Sequence, residues 1–193
     1  MLRCIKILPL SLILIYSLIS TVQADSPIVI NEFMASNNNA ISDPQGQYDD
    51  WIEIHNYGSN TIDMSGMYLT DDFSTPTKWQ FPTGASIQAG GYLIIWADDN
   101  TSDIGLHTNF KLSSDGEEIA LFDSDGITLI DDVTFDAQRT DISYGRYPDG
   151  GDQWRFFGIP SPDEENEGGY LGIVADTKFS HDRGFYDDPF DVT

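Results

Sequence analysis

DDWIEIHNYGSNTIDMSGMYLTDD, residues 49–72, holds two short runs in which apolar and polar side chains alternate, joined by a polar turn. In an extended chain successive side chains point to opposite faces, so Ile52 and Ile54 share one face while Trp51, Glu53 and His55 share the other. The pattern predicts a strand with both isoleucines toward a core and Glu53 and His55 pointing outward or into a groove. NYGSN and DMSG supply the Gly, Asn, Asp and Ser that tight turns use, and MYLT starts a second strand. The same stretch concentrates carboxylates and a histidine, so it also poses a question of chemistry.

Outward from this stretch, strand-like runs recur at short intervals. PIVINEFM (27–34) comes before it. After it come KWQFP, the apolar run Tyr92 to Ala97, EEIALFD, GITLIDDVTF, DISYGRY and QWRFFG. The continuous apolarity of YLIIWA predicts a central strand covered on both faces. SDG between two alternating runs is a hairpin signature. No segment past residue 24 shows a sustained helical period. Seven to nine short strands with this spacing predict an all-β, immunoglobulin-like β-sandwich over residues 25–166. PSPDEENEGG (160–169) shifts to Pro, Glu and Gly and reads as a linker. Residues 167–193 then read as that linker plus the truncated start of a second β-domain.

The first 24 residues read differently. Arg3 and Lys6 precede a short apolar run, Ile7 to Ile19, and small residues stand at Val22 and Ala24. That order predicts a signal peptide cut after Ala24, hence a secreted or cell-surface protein. The run is shorter than the roughly 20 residues of a spanning helix, and no later segment is apolar enough to span. The single cysteine, Cys4, leaves with the signal, so the mature chain has neither disulfides nor thiolate zinc sites.

Charge limits the partners. With 32 acidic and 9 basic residues the formal net charge is −23, which repels phosphate backbones and anionic membranes. Nucleic acid is therefore excluded as an expected partner, and calcium is the one cofactor such a surface suits. Candidate calcium carboxylates lie on the rim loops: Asp43 with Asp49 and Asp50, Asp71 with Asp72, and Asp98 with Asp99 and Asp103. Asp123 and Asp125 imitate the start of a calcium loop, but the apolar Ile127 makes a hairpin turn the better account. The three histidines, 55, 107 and 181, stand in separate elements without ligand spacing.

Catalysis finds little support. Glu32, Glu53, Glu117 and Glu118 could supply a glycosidase pair, and Trp51, Trp79, Trp96 and Trp154 could stack on sugars, yet all fit strand positions equally well. There is no nucleophile elbow and no phosphate-cradling glycine loop. Arg146, between Tyr144 and Tyr147, reads as a structural ion-pair or stacking residue. No catalytic residue is assigned, and the expectation is a non-enzyme.

INEFMASN, WIEIHN followed by SGMYLTDD, KWQFPTGASIQAGGYLIIWADD, HTNFKLSSDGEEIALFDSDGITLIDDVTF and SYGRYPDG occur in the order of the lamin tail domain, which this chain resembles in its bacterial, exported form. The resemblance covers Ile28 to about Asn166. One departure is the end, where PSPDEEN stands in place of a Thr-Pro-Gly turn and an Asn. The resemblance implies an immunoglobulin-like sandwich acting as a non-catalytic interaction or adhesion module, with a protein or glycan partner at a cell surface or matrix. RGFYDDPFDVT, within Phe179 to Thr193, resembles the start of a chitobiase-type C-terminal β-domain. It implies an alternative role as accessory module of a larger exported enzyme, glycan-active or a kinase resembling the spore-coat protein CotH. Carbohydrate binding is the other alternative.

Overall fold

The computed structural model describes residues 26–172. The expected signal peptide and the expected opening of a second β-domain, apart from residues 167–172, lie outside the described residues. Within them the chain forms eleven strands and no helix: β1 Ile28–Met34, β2 Asp50–Asn56, β3 Ile62–Asp63, β4 Tyr68–Thr70, β5 Trp79–Gln80, β6 Ser86–Ile87, β7 Tyr92–Ala97, β8 Gly116–Phe122, β9 Leu129–Asp136, β10 Ser143–Arg146 and β11 Trp154–Phe157. A five-stranded sheet, in the order β11-β10-β1-β2-β7, packs on a four-stranded sheet, β5-β4-β8-β9, and β3 pairs with β6. Every strand pairing is antiparallel, and the fold class is the expected immunoglobulin-like sandwich.

The alternation in the sequence builds the core directly. Ile28, Ile30, Phe33, Ile52, Ile54 and Ile95 of the five-stranded sheet meet Leu69, Ile119, Leu121, Val133 and Phe135 of the other. Phe33 and Phe135 lie 4.4 Å apart, centroid to centroid, across the interior. Each such side chain contributes about 1.5–3 kcal/mol when fully buried. Arg146 on β10 then ties the sheets together at their edge. One terminal nitrogen donates to both Asp131 carboxylate oxygens at 2.9 Å, its Nε donates to the Ile30 carbonyl, and its guanidinium lies 4.9 Å from the Trp154 ring centroid. Both uses expected for Arg146, ion pair and stacking, are present.

Two expectations are corrected. YLIIWA is not central: β7 is an edge of its sheet, and residues 106–108 run alongside it through backbone bonds to Trp96. PSPDEENEGG is not a free linker. It folds back over the five-stranded sheet, and Tyr170 pairs with Phe156 through two backbone bonds of 2.9 and 3.0 Å, so the folded unit runs past Asn166. The sheet face turned away from the core is thereby covered by chain from two distant places. Residues 37–43 fold over Met34, Trp51 and Trp96, with Ala40 and Ile41 packed against them, and residues 161–166 cover the middle. This is why β2 is buried on both faces: Glu53, expected to point outward or into a groove, lies under residue 163, while His55 stacks on Tyr92.

Candidate functional site

Glu32 and Glu53 are paired residues on neighbouring strands, and both are fully buried. A bulge between Ile30 and Glu32 inserts Asn31, whose amide donates to Glu53 Oε1 at 3.3 Å while its oxygen accepts from the Gly150 amide. Glu32 accepts from the Ser143 hydroxyl and from the Ser161 amide. Glu53 Oε2 accepts from the Asp163 amide at 2.6 Å. Asn166 closes the cover: its side-chain amide donates to the Arg146 carbonyl, its oxygen accepts from the Ser161 hydroxyl, and its backbone amide donates to Asp149. Asp149 in turn accepts from the Tyr92 hydroxyl at 2.5 Å. Gly145 makes room for this closure, since a Cβ there would stand 2.8 Å from the Asn166 amide nitrogen and 2.9 Å from the Asn31 carbonyl.

Burial pushes Glu32 up to about 7, against the hydrogen bonds from Ser143 and Ser161 and with help from the charge of Asp149. Burial likewise pushes Glu53 up to about 8, with the amide of Asp163 opposing and Glu32 adding repulsion. A raised carboxyl pair is a familiar signature of acid–base catalysis. Here, however, the hydrogen-bond partners are main chain, hydroxyls and an amide of the protein itself, and neither acid has a solvent-facing side. The pair fastens the 161–166 segment onto the sheet.

The remaining glycosidase candidates are spoken for in the same way. Glu117 accepts from the Ser113 amide, and Glu118 from the Phe73 amide at 2.6 Å. Trp51 is fully buried, Trp79 and Trp96 nearly so, and Trp154 is half-buried between Tyr144 and Arg146. Their rings pack against neighbouring side chains of the protein itself. His55 stacks on Tyr92 with centroids 4.4 Å apart, and its Nδ1 lies 3.1 Å from the Gly91 carbonyl.

Of the eight carboxylates proposed for calcium, the fold gathers four at one end of the five-stranded sheet: Asp43, Asp49, Asp98 and Asp103. Side-chain oxygens of Asp43 and Asp103 and a ring nitrogen of His107 lie within 4.8 Å of one another. Asp98 Oδ2 lies 3.0 Å from His107 Nδ1. Burial raises Asp49, and the charges of Asp98 and Asp43 add to this. The other four do different work. Asp50 accepts from the Asn37 amide and is pushed up to about 6, chiefly by burial. Asp99 is exposed at a left-handed backbone position, φ 59°. Asp71 pairs with Lys78, and Asp72 accepts from Ser74 and Thr75 in its own turn. Asp125 likewise folds the β8–β9 turn onto itself by accepting from Ile127 and Thr128.

Two packed antiparallel sheets, with most of the buried carboxylates bonded to the chain's own amides and hydroxyls, define the class of domain as a β-sandwich. The sequence model of the Lamin Tail Domain matches residues 21–137, and the chain belongs to that family. A search of curated proteins found no match. The matched region stops before β10, yet β10 and β11 complete the five-stranded sheet and the 161–166 segment covers it.

Proposed function

We propose that this chain is a non-catalytic, exported interaction module that attaches a cell-surface or secreted protein to a protein partner. The observation that carries this reading is the contrast between interior and tips. The carboxyl pair and three of the four tryptophans are buried, whereas Ile104, Ile127, Ile159 and Leu171 stand 77–85% exposed on an acidic body. Exposed aliphatic side chains on the loops are available to a partner, and lamin tail domains are interaction modules. Export rests on the leader-like order of residues 1–24.

A second reading, an accessory module of a longer exported enzyme, is supported by the run Phe179 to Thr193 and its likeness to a chitobiase-type domain. Carbohydrate binding has less support, because the tryptophans expected to stack on sugars pack against the protein's own side chains. The test is binding of the purified protein to intact source cells. Ile104→Asp and Ile159→Asp should weaken binding at least fivefold without altering the melting temperature, and treating the cells with protease should abolish it. Competition by soluble saccharides, with both substitutions silent, would overturn the reading.

A further inference from the structure

The rim cluster holds something that neither the fold nor the proposed adhesive role requires: buried carboxylate oxygens with no partner. Asp43 is 4% exposed. Its Oδ1 accepts from the amides of Gln45 and Gln47, at 3.0 and 2.6 Å, but its buried Oδ2 has no hydrogen bond, and neither does the buried Oδ2 of Asp49. A buried carboxylate oxygen without a donor is costly to a fold, and a bound cation is one partner that would satisfy it.

The neighbouring imidazole calls for the same ligand. His107 is 3% exposed, with Nδ1 at 3.0 Å from Asp98 Oδ2 and Nε2 at 3.3 Å from the Ile104 carbonyl. If Nδ1–H donates to Asp98, a neutral ring turns the lone pair of Nε2 toward a carbonyl oxygen and leaves it without a donor. In that tautomer the carboxylate on Nδ1 orients the ring and Nε2 is the atom left to ligate, which is how metal-binding histidines are held.

The backbone holds the parts in place without an ion. Trp96 donates to Leu106 and Thr108 donates to Trp96, both at 2.8 Å, which fixes His107 beside β7. The Asp43 turn is docked on the opposite loop by Gln47 Nε2 to Asp103 Oδ2 at 3.0 Å and by Gln45 Nε2 to the Ile104 carbonyl at 3.3 Å. Gly105, at φ 123°, gives the loop beside the ring a backbone conformation that L side chains rarely adopt.

We propose that Asp43, Asp103 and His107 bind one divalent cation of the zinc class, with Asp49 as the adjacent carboxylate and Asp98 orienting the imidazole. The donor set decides the class. Calcium takes six to eight oxygens in a roomy shell, whereas one imidazole nitrogen with two or three carboxylates suits zinc and its borderline neighbours. Bound there, the ion pins residues 43–49 to residues 98–107, and so fixes the loop end that carries Tyr48 and Ile104.

The test is a histidine-selective nitrogen NMR titration of the purified protein with Zn2+, and then with Ca2+. Zn2+ should shift the His107 ring with one-to-one stoichiometry, and Ca2+ at equal concentration should leave it in place. Asp43→Asn or His107→Gln should lower Zn2+ affinity at least tenfold, with near-ultraviolet circular dichroism showing the fold retained. Should either of these buried substitutions fail to fold, Asp103→Asn, at the half-exposed ligand, carries the same expectation. A Zn2+ response confined to His55 or His181, an unmoved His107, or tight binding that survives the substitutions would overturn the proposal.

Discussion

Glu32 and Glu53 face one another across the β1–β2 ladder, and the segment at 161–166 hangs from both of them. Their ordinary value of 4.5 rises to about 7 and about 8 in the fold, so folding favours the protonated acids. Their contribution to stability is complete below about pH 4.5 and is lost as pH climbs through 7 and 8. Asp63, Asp72, Asp125 and Asp141, held below their usual range by hydrogen bonds in their turns, act oppositely and weaken as pH falls below the normal aspartate value. Thermal melts should therefore show the melting temperature falling from pH 5 to pH 9, by roughly 5 °C or more given about 1.4 kcal/mol per shifted unit. Glu53→Gln should flatten that slope. A melting temperature that rises over the same range would contradict the assignment.

The family match ends at residue 137, whereas the sheet does not. Ending the chain there removes β10 from its pairing with β1, exposes the edge of β1, and strips the cover from Glu32 and Glu53. Residues 25–137 should fail to give a cooperative melt, whereas residues 25–172 should melt in one transition. Equal melting of the two would show that the covering segment is dispensable.

Arg146 is expected to be the costliest single polar position. Replacing it with Met leaves Asp131 half-buried without its cation and the Ile30 carbonyl without its donor. Breaking a buried pair from one side costs about 3–5 kcal/mol, which urea denaturation would read as a lower midpoint at unchanged slope. A loss below about 1 kcal/mol, the value of a surface pair, would mean that the bridge is ornamental.

Gly145→Ala tests the cover locally. The added methyl would meet the Asn166 amide and the stem of Glu32 at 2.8 and 3.0 Å, so the 161–166 segment must shift. Faster amide exchange at Ser161 and Asp163, with β8 and β9 unchanged, is the expected result. Uniform protection throughout the chain would argue against the packing described.

The sandwich was readable from the sequence because alternation at Ile52 and Ile54, and at Ile28 and Ile30, directly states which face is apolar. The covered outer face was not. Glu53 reads as pointing outward or into a groove from its neighbours, and what covers it is the amide of Asp163, 110 residues along the chain. PSPDEENEGG has the composition of a linker, and only the tertiary bonds of Ser161, Asp163 and Asn166 make it part of the domain. The rim cluster was half legible. Loop clustering at a sandwich end anticipates that Asp43, Asp49, Asp98 and Asp103 meet. His107 was discounted for lack of local spacing, and its bridge to Trp96 sets it beside Asp98.

On the function proposed above, the exposed loop residues make the contact with a partner and the buried acids do not. Photo-crosslinking amino acids placed at residues 104 and 159 in the source cells, with exposed Asp132 on β9 as the control position, test it most directly. One discrete protein adduct from 104 or 159 and none from 132 is the expected result. No protein adduct from either tip, or adducts of equal yield from all three positions, would contradict it.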